Sequence, residues 1–136
     1  MDAFDSDVLI YAAAPDHPLG RRVRRLFSEA QGRRVGIGSV VLLPEVLAKP
    51  LRNGTTAEIV EITKLLGRLE LRPADAATAE IAASLAALHR LRAVDAFHLA
   101  TAVVAHADRF ITNNRKDLGP SITEIEVAYP DDLPEP

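Results

Sequence analysis

A chain of 136 residues, 48% of them apolar, corresponds to one ordinary domain that can bury roughly two thirds of its surface. Sixteen basic residues against nineteen acidic ones, a formal charge of −3, exclude nucleic-acid binding through a broad basic surface, so a polyanion partner would need local patches. Cysteine is absent, which excludes disulfides and thiolate metal sites and leaves carboxylates and four histidines for chemistry.

Short apolar runs alternate with longer helical patterns, which predicts a parallel α/β sheet covered by helices. The first strand is Ala3-Phe4, followed by a short helix from Val8 to Ala13 that Pro15 breaks. A second helix, about Pro18 to Ala30, carries Val23, Leu26 and Phe27 on one stripe, with Arg21, Arg22, Arg24 and Arg25 beside it. Arg34 to Ile37 is a short strand, and Ser39 suits the cap of a helix running through Glu45 to about Lys49. Pro44 means that this helix either starts there or is kinked there. Thr55 and Glu58 have capping-box spacing and open a helix with Ile59, Ile62 and Leu66 on one face and Gly67 as its stop. Leu69-Glu70-Leu71 is a strand. Asp75 caps an alanine-rich helix with Ile81, Leu85 and Leu88 on one side. Val94 to about His106 is apolar nearly all round and predicts a buried helix with Asp95 at its start. Arg109 to Thr112 is a strand, Asn113 to Gly119 a loop, and Glu124 to Val127 alternates as an edge strand would. Residues 1–129 form the domain, and 130–136, with three prolines, form a frayed or extended tail.

In an open parallel sheet, ligands gather beyond the carboxyl ends of the strands. Acids recur there: Asp5 and Asp7 after the first strand, Glu45 after the second, Asp95 before the fourth, and Asp117, with Thr112, Asn113 and Asn114, after the fourth. Converging carboxylates repel one another, and a divalent cation with oxygen ligands is the usual remedy. Asp5, Asp7 and Asp95 also suit helix caps, and Asn114 and Asp117 suit a polar turn. Glu45 stands apart, because Val40 to Leu43, Val46 and Leu47 make its surroundings apolar, where a lone carboxylate is expensive. His98, three residues past Asp95, could be a ligand, although a lone histidine in an apolar helix is more often a packed core residue. The arginines of the second helix read as a solvated face that could also serve a phosphate or an acidic partner.

The order of these segments resembles a PIN domain, and more narrowly the VapC toxins of bacterial toxin–antitoxin systems. The resemblance spans Phe4 to about Leu118. It rests on Phe4-Asp5-Ser6-Asp7-Val8-Leu9-Ile10, on Ser39 with Glu45 six residues on, on Val94-Asp95-Ala96-Phe97-His98-Leu99-Ala100, and on Phe110-Ile111-Thr112-Asn113-Asn114-Arg115-Lys116-Asp117. It implies a single PIN-like domain with a short, mostly parallel sheet of four to five strands and helices on both faces. It implies an Mg²⁺-dependent endoribonuclease, with Mn²⁺ as the alternative cation, in which Asp5 and Asp95 hold the metal and Glu45 holds a second cation or orients water. It also implies an RNA substrate such as tRNA or rRNA, a small cognate antitoxin and a homodimer. The chain departs from the family twice. Asp7 stands where Asn or Ser is common, and Asn114 where a fourth acid is common, so Asp117 is preferred as the fourth acid because an amide is the poorer cation ligand.

Three other readings keep part of the pattern: a PIN nuclease of RNA maturation, a catalytically silent PIN-fold interaction module, and a haloacid-dehalogenase-like phosphatase built on Asp5-Ser6-Asp7. Without a run of about 18 apolar residues and with the acidic start Met1-Asp2-Ala3-Phe4-Asp5, the protein reads as soluble, unexported and cytoplasmic, with no membrane partner. Setting aside Asp5, Glu45, Asp95 and Asp117 as cation ligands changes the formal charge from −3 to +1, so an RNA substrate is compatible with the composition.

Overall fold

Five extended segments, each too short to be stable alone, pair side by side and entirely in parallel, which requires a helical crossover between neighbours. The computed structural model describes residues 1–136. Its strands are β1 (Asp2–Phe4), β2 (Gly36–Ser39), β3 (Leu69–Arg72), β4 (Arg109–Ile111) and β5 (Glu126–Ala128), in the spatial order β3-β2-β1-β4-β5. The helices are α1 (Ser6–Ala13), α2 (Pro18–Glu29), α3 (Leu42–Asn53), α4 (Thr56–Leu66), α5 (Ala76–His89) and α6 (Ala93–Val104). No helix is long and apolar enough to cross a membrane.

Strand alternation sorts the apolar side chains into two cores. Phe4 and Ile111 point to the face covered by α1 to α4, where they pack with Leu9, Val23, Leu42, Val46 and Ile62. Ala3 and Phe110, one residue earlier in each strand, point to the face covered by α5 and α6 and meet Leu85, Leu99 and Leu118. The chain builds outward from β1 to β3 and then returns to the opposite side of β1 to lay down β4. This reversal opens a crevice beyond the carboxyl ends of β1 and β4. Close approach of α1 and α2 depends on Gly20, where a Cβ would lie 2.0 Å from the Tyr11 carbonyl oxygen.

Several local expectations change. Strand β2 begins two residues later than the apolar run suggests. Ser39 does not cap α3; its Oγ accepts from Val41 N at 3.1 Å in the turn before the helix. Pro44 lies in the first turn, where no intrahelical N–H is lost, so the helix neither starts nor has to kink there. The same helix continues past Lys49 and Pro50 to Asn53 and ends at Gly54, whose φ of 67° is left-handed. Thr55 forms no capping box, since its hydroxyl donates to the Pro50 carbonyl at 3.3 Å and to Glu58 at 3.4 Å. Helix α5 is capped by Asp75 as expected, but it buries Thr78, Ala82 and Leu85 and leaves Ile81 and Leu88 41% and 69% exposed. Small residues on the inner face let α5 lie close to α6, a gain that outweighs the burial of two larger side chains.

The tail is docked, contrary to the frayed end expected from its prolines. Pro130–Asp132 forms a turn of 3₁₀ helix, Leu133 enters the core at 2% exposure, and Arg22 donates to the carbonyls of Asp131 at 3.0 Å and Leu133 at 2.8 Å. Leu133→Ala is therefore expected to lower the unfolding free energy by about 2 to 4 kcal/mol in urea titration, whereas a loose tail would give a change within about 0.5 kcal/mol.

Candidate active site

The residue that leaves β1 organises the crevice. Asp5 is buried and caps α1, its Oδ1 accepting from Ser6 N at 2.8 Å while its Oδ2 accepts from the Thr112 hydroxyl, also at 2.8 Å. Its own amide donates to the Ile111 carbonyl at 2.9 Å, so backbone and side chain together tie β1 to β4. Asp7 repeats the arrangement one step outward, accepting from Val8 N at 2.7 Å and from Asn113 N at 3.0 Å. It thus bonds at the helix start and ties that start to the loop after β4.

Glu45, in the first turn of α3, is brought to the same place from the far side of β2. It is hydrogen-bonded to Nε2 of His98, and one donor atom each from Asp5, Glu45 and His98 lie within 4.8 Å of one another. Asp95 is buried in the first turn of α6, where it caps nothing; its one side-chain partner is Arg92 Nε at 3.3 Å. Its charge acts on both Asp5 and Asp7 and raises their pKa values. Asp117 lies outside the 4.8 Å cluster. Its amide donates to Asn114 Oδ1 at 3.2 Å and its carboxylate accepts from Asn114 Nδ2 at 3.3 Å, so the two polar residues that compete for the fourth place bind each other. Asn114 N also donates to the Thr112 hydroxyl at 3.1 Å, which joins this turn to the oxygen that holds Asp5.

His98 is packed in the core at 2% exposure, as its place in an apolar helix suggests, and it also faces Asp5 and Glu45. The spacing of three from Asp95 along one helix face is the signal that pointed to it. Arg92, three residues before Asp95, is the residue the sequence reading missed, although it has the same spacing.

The electrostatics agree with the geometry. Burial raises the carboxyl of Asp5, against the hydrogen bonds from Thr112 and Ser6. Burial, and then the charge of Asp5, push Asp7 up to about 7. Glu45 goes the other way: burial pushes it up, but the hydrogen bond from His98 outweighs this and leaves it below its ordinary value. Carboxylates that raise one another, with hard oxygen donors and no sulfur in reach, fit a divalent cation of the Mg²⁺ or Mn²⁺ kind. The arginine helix lies elsewhere. The largest cavity, about 720 Å³, has Arg21, Arg24, Arg25 and Arg68 in its wall and no site acid. Arg24 and Arg68 there clamp backbone carbonyls rather than face water.

A family model, the PIN domain, matches residues 3–118. The chain belongs to the PIN-domain family, which sets the phosphatase reading aside. No curated protein sequence matches it. Among solved structures, it is similar to a chain of a toxin–antitoxin complex from Klebsiella pneumoniae, with a TM-score of 0.75, 21% identity and coverage of 96% of this chain and 98% of that one. It is also similar to a chain of VapBC2 from Rickettsia felis, solved on a DNA fragment from the promoter, with a TM-score of 0.73, 18% identity and coverage of 94% and 97%. At these identities the likeness is one of fold.

Asp7 gives a pH dependence with a definite sign. Its folded pKa lies near 7 against 3.8 for the free carboxyl, so between those values the folded state keeps a proton that the unfolded chain has lost. Stability without metal therefore falls as pH rises from about 4 to about 7, by at most about 4 kcal/mol, and then levels. Melting in chelator at pH 5 and 7.5 should show the decline in the wild type and a flatter profile in Asp7→Asn; equal slopes would remove Asp7 as the cause.

Proposed function

We propose that the protein is an Mg²⁺- or Mn²⁺-dependent endoribonuclease and the toxin of a toxin–antitoxin pair. The observation that supports this reading is the cluster of Asp5, Glu45 and His98 donor atoms within 4.8 Å of one another in the crevice between β1 and β4, with the charge of Asp95 acting on Asp5 and Asp7. Asp5 and Asp95 hold the cation. Glu45 holds a second cation or orients the attacking water, and Thr112 keeps Asp5 turned inward through its hydroxyl. Asp117 or Asn114, from the loop after β4, completes the site, with Asp117 preferred as the better cation ligand. A divalent ion held there would acidify water and neutralise charge on the phosphodiester, so the protein itself needs no nucleophile. A recessed site of this kind favours unpaired nucleotides, as in the loops of tRNA or rRNA.

The antitoxin partner is supported by the two structural neighbours, both from toxin–antitoxin complexes. A cleft of about 470 Å³ between α1 and α4, with Ile10, Ala13, Ala14 and Pro15 in its wall and Glu58 and Glu61 beside them, suits an apolar segment bearing basic residues. A homodimer is the proposed assembly, and the exposed apolar side chains Leu51 and Leu88 offer surface for it.

Purified protein incubated with total RNA and Mg²⁺ should produce specific new 5′ ends that vanish in chelator. Asp5→Ala should lower cleavage by at least about a hundredfold and relieve growth inhibition. Retention of either property would sink the role given to Asp5.

A further inference from the structure

His98 touches the acids with one ring nitrogen and nothing with the other. We infer that His98 is a positioning residue, which holds Glu45 toward Asp5 by donating its Nε2–H, and is not itself a cation ligand. The inference rests on the nuclease reading above and adds a role within the same site.

Three observations carry it. Glu45 lies in the first turn of α3 with its side chain 32% exposed, so nothing in its own helix keeps this flexible carboxylate from turning to water. His98 is fixed, because its side chain on α6 is 1% exposed and its Nε2 meets Glu45 Oε1. Nδ1 of the same ring is buried and has no hydrogen-bond partner. A neutral imidazole carries one N–H. With the proton on Nδ1, a buried donor would lack an acceptor and the Nε2 lone pair would face a carboxylate oxygen. With the proton on Nε2, the donor meets Glu45 and only a lone pair is left bare. Ligation of a cation by Nε2 would require the first arrangement, and ligating histidines almost always donate their other N–H to an acceptor, which Nδ1 does not have here. The proximity of His98 to Asp5 and Glu45 therefore reflects a hydrogen bond between an orienting ring and an acid.

Imidazole ¹⁵N shifts of the metal-free protein should show His98 protonated at Nε2 and bare at Nδ1; the reverse would overturn the inference. Calorimetric Mn²⁺ titration supplies the second reading. His98→Gln, whose amide nitrogen reaches the depth of Nε2, should bind Mn²⁺ within about threefold of the wild type. His98→Leu and His98→Asn, whose amide stops at the depth of Nδ1, should bind about ten- to a hundredfold more weakly, as loss of an orienting partner typically does. The Gln and Asn pair keeps the test decisive if the leucine variant fails to fold. In a Glu45→Gln background, His98→Asn should have no further effect. Equal affinities for the Gln and Asn variants, an undiminished effect without Glu45, or histidine ¹⁴N coupling to bound Mn²⁺ in electron paramagnetic resonance would each overturn it. A wild type that binds no Mn²⁺ and cleaves no RNA would instead defeat the nuclease reading, and the tautomer would still decide the pairing of His98 with Glu45.

Discussion

Burial of Asp5 and Asp95 at the head of β1 and β4, with Asp7 and Glu45 beside them, is the constraint to which the rest of the structure answers. Two unit charges about 5 Å apart repel by roughly 3 kcal/mol at an effective permittivity near 20. Asp5, Asp7 and Asp95 add such repulsion to the cost of burial, which is the larger cause of the raised pKa values of Asp5 and Asp7, while Glu45 is held below its ordinary value by His98. Most of the local architecture reads as a means of tolerating that repulsion without metal. Ser6 N, Val8 N, Asn113 N and the Thr112 hydroxyl each donate to one of these acids, and His98 donates to Glu45.

The topology helps in the same direction. In a parallel sheet each crossover helix begins above the carboxyl end of a strand or beside it, so helix N-termini collect where the crevice opens. Asp5 caps α1, Glu45 lies in the first turn of α3, and Asp95 lies in the first turn of α6. The positive end of each helix dipole favours a negative charge by about 0.3 to 1 kcal/mol. What helices and amides leave uncompensated is the charge a divalent cation would take up. The folded protein bears this cost in Asp7, whose carboxyl is pushed up to about 7 by burial and by the charge of Asp5.

Much of this was legible in the sequence, for reasons that differ from element to element. The strands and the buried helix α6 were readable because continuous apolar runs leave few alternatives. Asp5, Glu45 and Asp95 were readable because acids recurred at strand exits and, for Glu45, because its neighbours were apolar. Thr55 and Glu58 had the right spacing for a capping box, yet the Thr55 hydroxyl turns back to the Pro50 carbonyl at the end of α3, which also accepts from the amides of Gly54 and Thr55. On α5 the larger apolar residues suggested one face, and close packing against α6 chose the face with the small residues. The tail looked frayed because proline content says how a segment bends and not what its one leucine can reach.

By itself, the sequence determined the class of fold, the positions of the acids along the chain and, through the absence of cysteine, a preference for hard oxygen-bound cations. These follow from composition and local order, which survive any arrangement of the elements. Only the tertiary structure decided which groups face one another. It returned the chain across β1 so that Thr112 could bond Asp5 and Asn113 N could bond Asp7. It also brought His98 from α6 to Glu45 on α3, fifty-three residues apart. No periodicity or spacing within one segment encodes such contacts, because they depend on how two faces of a sheet and the helices around it meet in space.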